Sequence, residues 1–171
     1  MYREELKRLI RKYLYVGKTH VLSSKKTSSI YVDIKSLSLH PRGVFLLSKV
    51  ISDMIPEDTS FIGGTELGAV MLTSLVQSYL IHVEDRSVSS FVIRKSEKQH
   101  GLKKEIECPY SLSGKIVLLE DVITTGATVL RAIQLVDPYK IICVVDRQEY
   151  SPEFEKFSHL IDPIFRLKDL I

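Results

Sequence analysis

Glu120 and Asp121 are adjacent carboxylates, and shortly after them comes Thr124-Thr125-Gly126-Ala127-Thr128, a run of small and hydroxylated residues. A loop of that composition offers backbone N–H groups and hydroxyls to one point. A helix starting behind it adds the positive end of its dipole, so the natural guest is an anion. Gly126 permits a backbone turn that a side chain would obstruct. The acid pair would repel a phosphate placed directly on it and suits sugar hydroxyls or a metal ion instead. The stretch therefore reads as a site for a sugar phosphate, with phosphate on the loop and sugar over the acids. It is not a Walker A loop, because no Gly-Lys-Ser/Thr closes it. On these residues alone, an ordinary strand, loop and threonine-capped helix is the competing reading.

Other residues could add to such a site. Arg147, in Asp146-Arg147-Gln148-Glu149, offers a planar fork for a carboxylate, or a salt bridge to Asp146 or Glu149. Lys25 and Lys26 sit in a Ser/Lys-rich turn and could hold phosphate or simply face solvent. Gly63-Gly64-Thr65 reads as a strand running into a glycine turn, where backbone N–H groups can approach an anion, although a purely structural turn fits as well. The segment 94–104 is basic and has no apolar periodicity. A solvated loop is the default for it, yet long irregular loops in compact domains are often catalytic lids.

The elements that must position these groups follow from apolar patterning. Ile116–Leu119 is a continuous apolar run, as in a strand buried on both faces of a parallel sheet, and Val129, Leu130, Ile133 and Val136 mark the helix after the loop. Residues 1–15 predict an amphipathic helix with Leu6, Leu9, Ile10, Tyr13 and Leu14 on one face. Further helices are expected over 42–55, entered through Pro41, and over 68–81. Strands are expected at 30–34, 61–64, 90–93 and 140–145, with a short strand and a final turn in 157–171. Alternating strands and amphipathic helices imply an α/β fold with a parallel sheet. Charges at the carboxyl ends of such strands, as at Asp146–Glu149, lie where open α/β sheets bind ligands.

The chain of 171 residues is most simply one domain, and 44% hydrophobic with 26% charged residues is ordinary globular composition. A net charge of +3 with no dominant Lys/Arg run gives no argument for nucleic acid, while it suits an anionic substrate. Cys108 and Cys143 form no CxxC motif, so metal or disulfide roles rank low and a reducing cytoplasm is expected. No apolar run approaches membrane length and no signal peptide is evident, so no membrane partner is expected.

Three of these segments together resemble the orotate phosphoribosyltransferase family. Glu120-Asp121-Val122-Ile123-Thr124-Thr125-Gly126-Ala127-Thr128 resembles the phosphoribosyl-pyrophosphate (PRPP) motif of type I phosphoribosyltransferases. Arg94-Lys95-x-x-Lys98-x-His100-Gly101 resembles the orotate-enzyme lid, and Asp146–Glu149 matches a further family segment. Residues 22–33 match in part, with Ser23 where members commonly carry Lys, and after Gly63-Gly64 Leu67 stands where some members carry Lys.

The resemblance implies a type I phosphoribosyltransferase-like fold, with a central mainly parallel sheet flanked by helices. A small hood would form from residues 1–40 and the C-terminal tail. It also implies transfer of phosphoribosyl from PRPP to orotate in pyrimidine synthesis. Thr124–Thr128, Glu120 and Asp121 would hold PRPP, and Arg94, Lys95, Lys98 and His100 would cover the pyrophosphate. Thr124, Arg147 and Tyr31 would meet orotate, and Lys25, Lys26 and Thr65 are candidate pyrophosphate contacts. Mg²⁺ would be held mainly by substrate oxygens and water, with no direct protein ligand assigned. The resemblance further implies a homodimer whose lid works in trans. A phosphoribosyltransferase for another base, and a non-catalytic PRPP-binding regulator, are the alternatives.

Overall fold

The computed structural model describes residues 1–21, 27–95 and 104–171, with 18–21, 27 and 28 described by backbone only. Lys25, Lys26, Lys98 and His100, and likewise Ser23, lie outside the described residues.

Helix α1 (Tyr2–Arg11) is shorter than its apolar pattern predicts, because Leu14 opens strand β1 (Leu14–Val21). This strand pairs antiparallel with β2 (Thr27–Val32) in a separate two-stranded ribbon, with Tyr15 opposite Tyr31. A short helix α2 (Ile34–Leu37) follows, capped by Asp33, whose carboxylate accepts from the Ser36 amide. Helix α3 (Pro41–Ser52) starts on Pro41, as expected, with His40 as its cap.

The main sheet comprises β3 (Thr59–Thr65), β4 (Ser89–Ile93), β5 (Ile106–Glu107), β6 (Lys115–Ile123), β7 (Lys140–Asp146) and β8 (Ile161–Arg166). Its strand order is β5-β4-β3-β6-β7-β8, and only the β4–β5 pair is antiparallel. Three helices interleave with it: α4 (Glu66–Val83), α5 (Ala127–Val136) and the short α6 (Pro152–Glu155). The fold is thus the expected mainly parallel α/β sheet with helices on both faces. The C-terminal segment forms the expected short strand and final turn, but β8 joins the edge of this sheet parallel to β7 and not the hood. Arg3 and Arg11 on α1 donate to the carbonyls of Ile164 and Leu170, tying the two ends of the chain together.

Strand alternation divides the core in two. Val117 and Leu119 pack with α1, α3 and α4 on one face, through Leu6, Ile10, Leu46, Leu72 and Val76. Ile116 and Leu118 pack on the other with Val129, Ala132, Ile133 and Phe154. Among the described residues α4 alone is long and apolar enough to cross a membrane by length and composition. Its row Leu72, Val76 and Leu80 is fully buried in the protein core.

Gly63 and Gly64 are not a turn. They lie inside β3, paired with Phe91 and Val92 of β4. A Cβ on Gly63 would sit 2.5 Å from the Phe91 carbonyl, and one on Gly64 would sit 2.3 Å from the Leu119 carbonyl and 2.6 Å from the Ala69 methyl. The glycines thus let the strand centre and α4 approach closely, which is what the sequence signal records.

Candidate active site

Strand β6 runs further than its apolar stretch predicts and carries Glu120 and Asp121 within it rather than beyond it. The chain then turns through Thr124 and Thr125 into Gly126, which adopts φ +79° as the N-cap of α5. This left-handed conformation is one that glycine takes without penalty. The position is also closed by packing, since a Cβ there would lie 2.1 Å from the Phe154 ring. The Ser151 amide donates to the Thr125 carbonyl at 3.0 Å and the Arg147 amide to the Ile123 carbonyl at 2.9 Å, so the segment after β7 braces the loop.

Thr124 through Thr128 form one wall of a cleft of about 510 Å³. The amides of the first turn of α5 have no partner inside their own helix, so this wall presents donors and a positive dipole end. The start of α4 also lines the cleft, with Glu66, Leu67 and Gly68. Glu66 adopts φ +60°, uncommon for a residue with a side chain, where β3 turns into the helix. Glu120 and Asp121 form the floor, and Lys35 and Lys95 contribute cations.

The two acids differ sharply. Glu120 is buried and accepts a hydrogen bond from the Thr65 hydroxyl at 2.9 Å. Burial, reinforced by the neighbouring charge of Asp121, pushes its carboxyl up to about 8 despite the Thr65 bond. It is therefore mostly protonated in the free protein at neutral pH. Asp121 faces Lys35, whose ammonium donates to Oδ2 at 3.2 Å. Burial opposes the Lys35 charge, yet the Asp121 carboxylate more than compensates and holds the ammonium above the usual lysine range. One acid neutral and the other paired leave a floor that does not repel an anion, which resolves the conflict between an acid pair and a phosphate loop. Gly68 makes room for Asp121, because a Cβ there would lie 2.2 Å from Oδ2.

The remaining candidate residues are distributed unevenly. Lys95 reaches the cleft beside Glu66, at 3.7 Å. Arg94 is turned elsewhere, with its guanidinium on Glu107 at 3.1 Å. Thr65 is buried on Glu120, so its hydroxyl is not presented to a pyrophosphate. Arg147 stands beside the cleft. It bonds Glu149 at 2.7 Å and the Ile30 carbonyl at 2.9 Å, which links it to the ribbon strand that carries Tyr31. Tyr31 lies 6.3 Å from Tyr15, ring centre to ring centre.

Two contributors, Lys35 and Arg131, escape the sequence reading, and so does the role of a third, Thr65. Lys35 follows a strand and an Asp33 cap, a signal that was readable as a short helix. Thr65 acts on Glu120 through space. Arg131 on α5 donates to the carbonyls of Arg94 and Lys95 and to the Glu105 carboxylate, fastening both sides of the 96–103 segment to the helix behind the anion loop. No local pattern marks either of these last two.

A cleft at the carboxyl ends of parallel strands, with an anion cradle beside a pair of acids, defines a sugar-phosphate-binding α/β protein. Comparison with known proteins narrows that class. No protein-family model matches the chain. It is 35% identical over 180 residues to the orotate phosphoribosyltransferase of Nostoc sp., covering 98% of this chain and 84% of that protein. It is 34% identical over 179 residues to the enzyme of that name from Aquifex aeolicus, covering 99% and 97%. Among solved structures it matches Mycobacterium tuberculosis H37Rv orotate phosphoribosyltransferase in complex with PRPP, with TM-score 0.74, 28% identity and 99% of both chains covered. The chain belongs to the orotate phosphoribosyltransferase family.

Proposed function

We infer that this protein transfers the 5-phosphoribosyl group from PRPP to orotate, giving orotidine 5′-monophosphate and pyrophosphate. The observation that carries the reading is that the Thr124–Thr128 cradle, Glu120 and Asp121 line one cleft at the end of β6. The cradle takes the 5′-phosphate through amides and hydroxyls. Asp121 and Glu120 meet the ribose hydroxyls, and the Asp121 carboxylate stabilises positive charge that develops on the sugar as the leaving group departs. The orotate ring nitrogen gives up its proton to solvent water and bonds to the anomeric carbon. The carbon–oxygen bond to pyrophosphate breaks, and pyrophosphate leaves with the bonding pair. No protein nucleophile is required.

Arg147 and Tyr31 receive the base in this reading, and Arg147 exchanges Glu149 for the orotate carboxylate. Lys95, which reaches the cleft of its own chain, and Arg94, Lys98 and His100 neutralise pyrophosphate and exclude water, partly from the neighbouring subunit of a homodimer. Among the described residues no three His, Cys, Asp or Glu side chains gather into an ion cage. Mg²⁺ would be held mainly by substrate oxygens and water, and Asp121 is the carboxylate that could reach its hydration shell. When bound, the ion neutralises phosphate charge. The two free cysteines, one of them buried, suit a cytoplasmic setting.

The test is base selectivity. With PRPP and Mg²⁺ supplied, orotate absorbance should fall, and omission of either should stop the loss. Equal or faster turnover of uracil or hypoxanthine would reassign the base.

A further inference from the structure

Lys35 is the cation in this cleft that no motif announces. Its helix is fixed on both sides of it by Ile34 and Leu37, each fully buried, so the side chain leaves the backbone from a rigid base. It lines the cleft and reaches Asp121 Oδ2, the same oxygen that lies against Gly68 at the start of α4. That wall otherwise presents Glu66 and Leu67, one acidic and one apolar. Lys95, the other described cation of the cleft, has a side chain 83% exposed and is turned to Glu66.

A structural salt bridge is the competing account. The Lys35 side chain is 39% exposed and that of Asp121 16%, and a pair with one partner this open contributes only modestly to folding. The pair also occupies an acid that the sugar needs. While Lys35 holds Oδ2, that oxygen is shared with an ammonium and is a poorer acceptor for a ribose hydroxyl. A substrate bringing both hydroxyls and a polyanion can resolve this by exchange: the hydroxyls take the carboxylate, and the anion takes the ammonium.

We propose that Lys35 is a substrate-contacting residue, pairing with Asp121 in the free protein and with the pyrophosphate oxygens of the bound donor. This deepens the function argued above and rests on it for the identity of the donor. In the bound state the ammonium stays beside Asp121 and the start of α4, while the Thr124–Thr128 cradle takes the 5′-phosphate.

The experiment compares wild type with Lys35→Ala, Lys35→Gln and Lys35→Arg. It measures kcat, KM for PRPP and for orotate, and calorimetric binding of magnesium pyrophosphate, with thermal melting as a check on folding. Loss of one charge-assisted contact should weaken PRPP and pyrophosphate about ten- to a hundredfold in the uncharged variants. The orotate KM should change little, and Lys35→Arg should recover most of the loss. If Lys35→Ala does not fold, Lys35→Gln, which keeps the chain length, decides. Unchanged pyrophosphate affinity and PRPP KM, or a fall confined to kcat, would overturn the proposal, the latter because Lys35 would then act only through Asp121. If wild type consumes no orotate, the function itself fails. The pyrophosphate titration still decides the role of Lys35.

Discussion

At the scale of single residues, the site is governed by how unequally it treats two adjacent acids. Glu120 lies beneath Thr65 in the protein interior and is held neutral, while Asp121 is open to the cleft and to Lys35. The sign of the pH effect follows. Glu120 has its folded value raised from 4.5 to about 8. Between those values the unfolded chain has released this proton and the folded chain keeps it, so unfolding releases a proton. The stability that the neutral carboxyl gives is complete below the lower value and is lost as pH rises towards the upper one. Glu120→Gln keeps an acceptor for Thr65 and cannot ionise. Melting temperatures from about pH 5 to pH 8 should therefore fall more in wild type than in Glu120→Gln. Parallel curves would show that Glu120 ionises normally.

At the scale of elements, the site is the meeting of β6, its loop and α5 with two neighbours. One is the segment after β7, and the other is the β1–β2 ribbon. Arg147 joins both, through Glu149 and the Ile30 carbonyl. Arg147→Ala should therefore raise the KM for orotate about ten- to a hundredfold, the worth of a charge-assisted bond to a carboxylate, and leave PRPP nearly unaffected. Loss of PRPP affinity instead would remove Arg147 from the base site.

The strand–loop–helix was legible because its apolar run, acids and small residues are contiguous. The ribbon was less so. Tyr13 and Leu14 continue the apolar face of α1, and only the turn of the chain after Arg11 shows that Leu14 belongs to a strand. Gly63 and Gly64 misled for a different reason. Glycine marks both turns and close packing, and only the positions of Phe91, Leu119 and Ala69 decide between them. The hydrogen bond from Thr65 to Glu120 and the Lys35 pair with Asp121 cross large sequence separations, so no local pattern encodes them.

At the scale of the whole molecule, the proposed homodimer makes a quantitative prediction. Lys98→Ala damages the lid and Asp121→Ala the floor, so each variant alone should be nearly inactive. If lids act in trans, a mixed dimer has one site with both lesions and one with neither. Random exchange of equal amounts then leaves roughly a quarter of all sites intact. Activity near that fraction is expected after mixing. Activity that stays at the parental level despite confirmed exchange would place each lid over its own subunit's site.

The most direct test of the account is the coupling of two products. PRPP, orotate and Mg²⁺ are incubated with the protein while orotate loss and pyrophosphate release are followed together. One pyrophosphate should appear for each orotate consumed, with none released when orotate is omitted. Pyrophosphate released without orotate loss, or PRPP bound and left intact, would contradict transfer to this base.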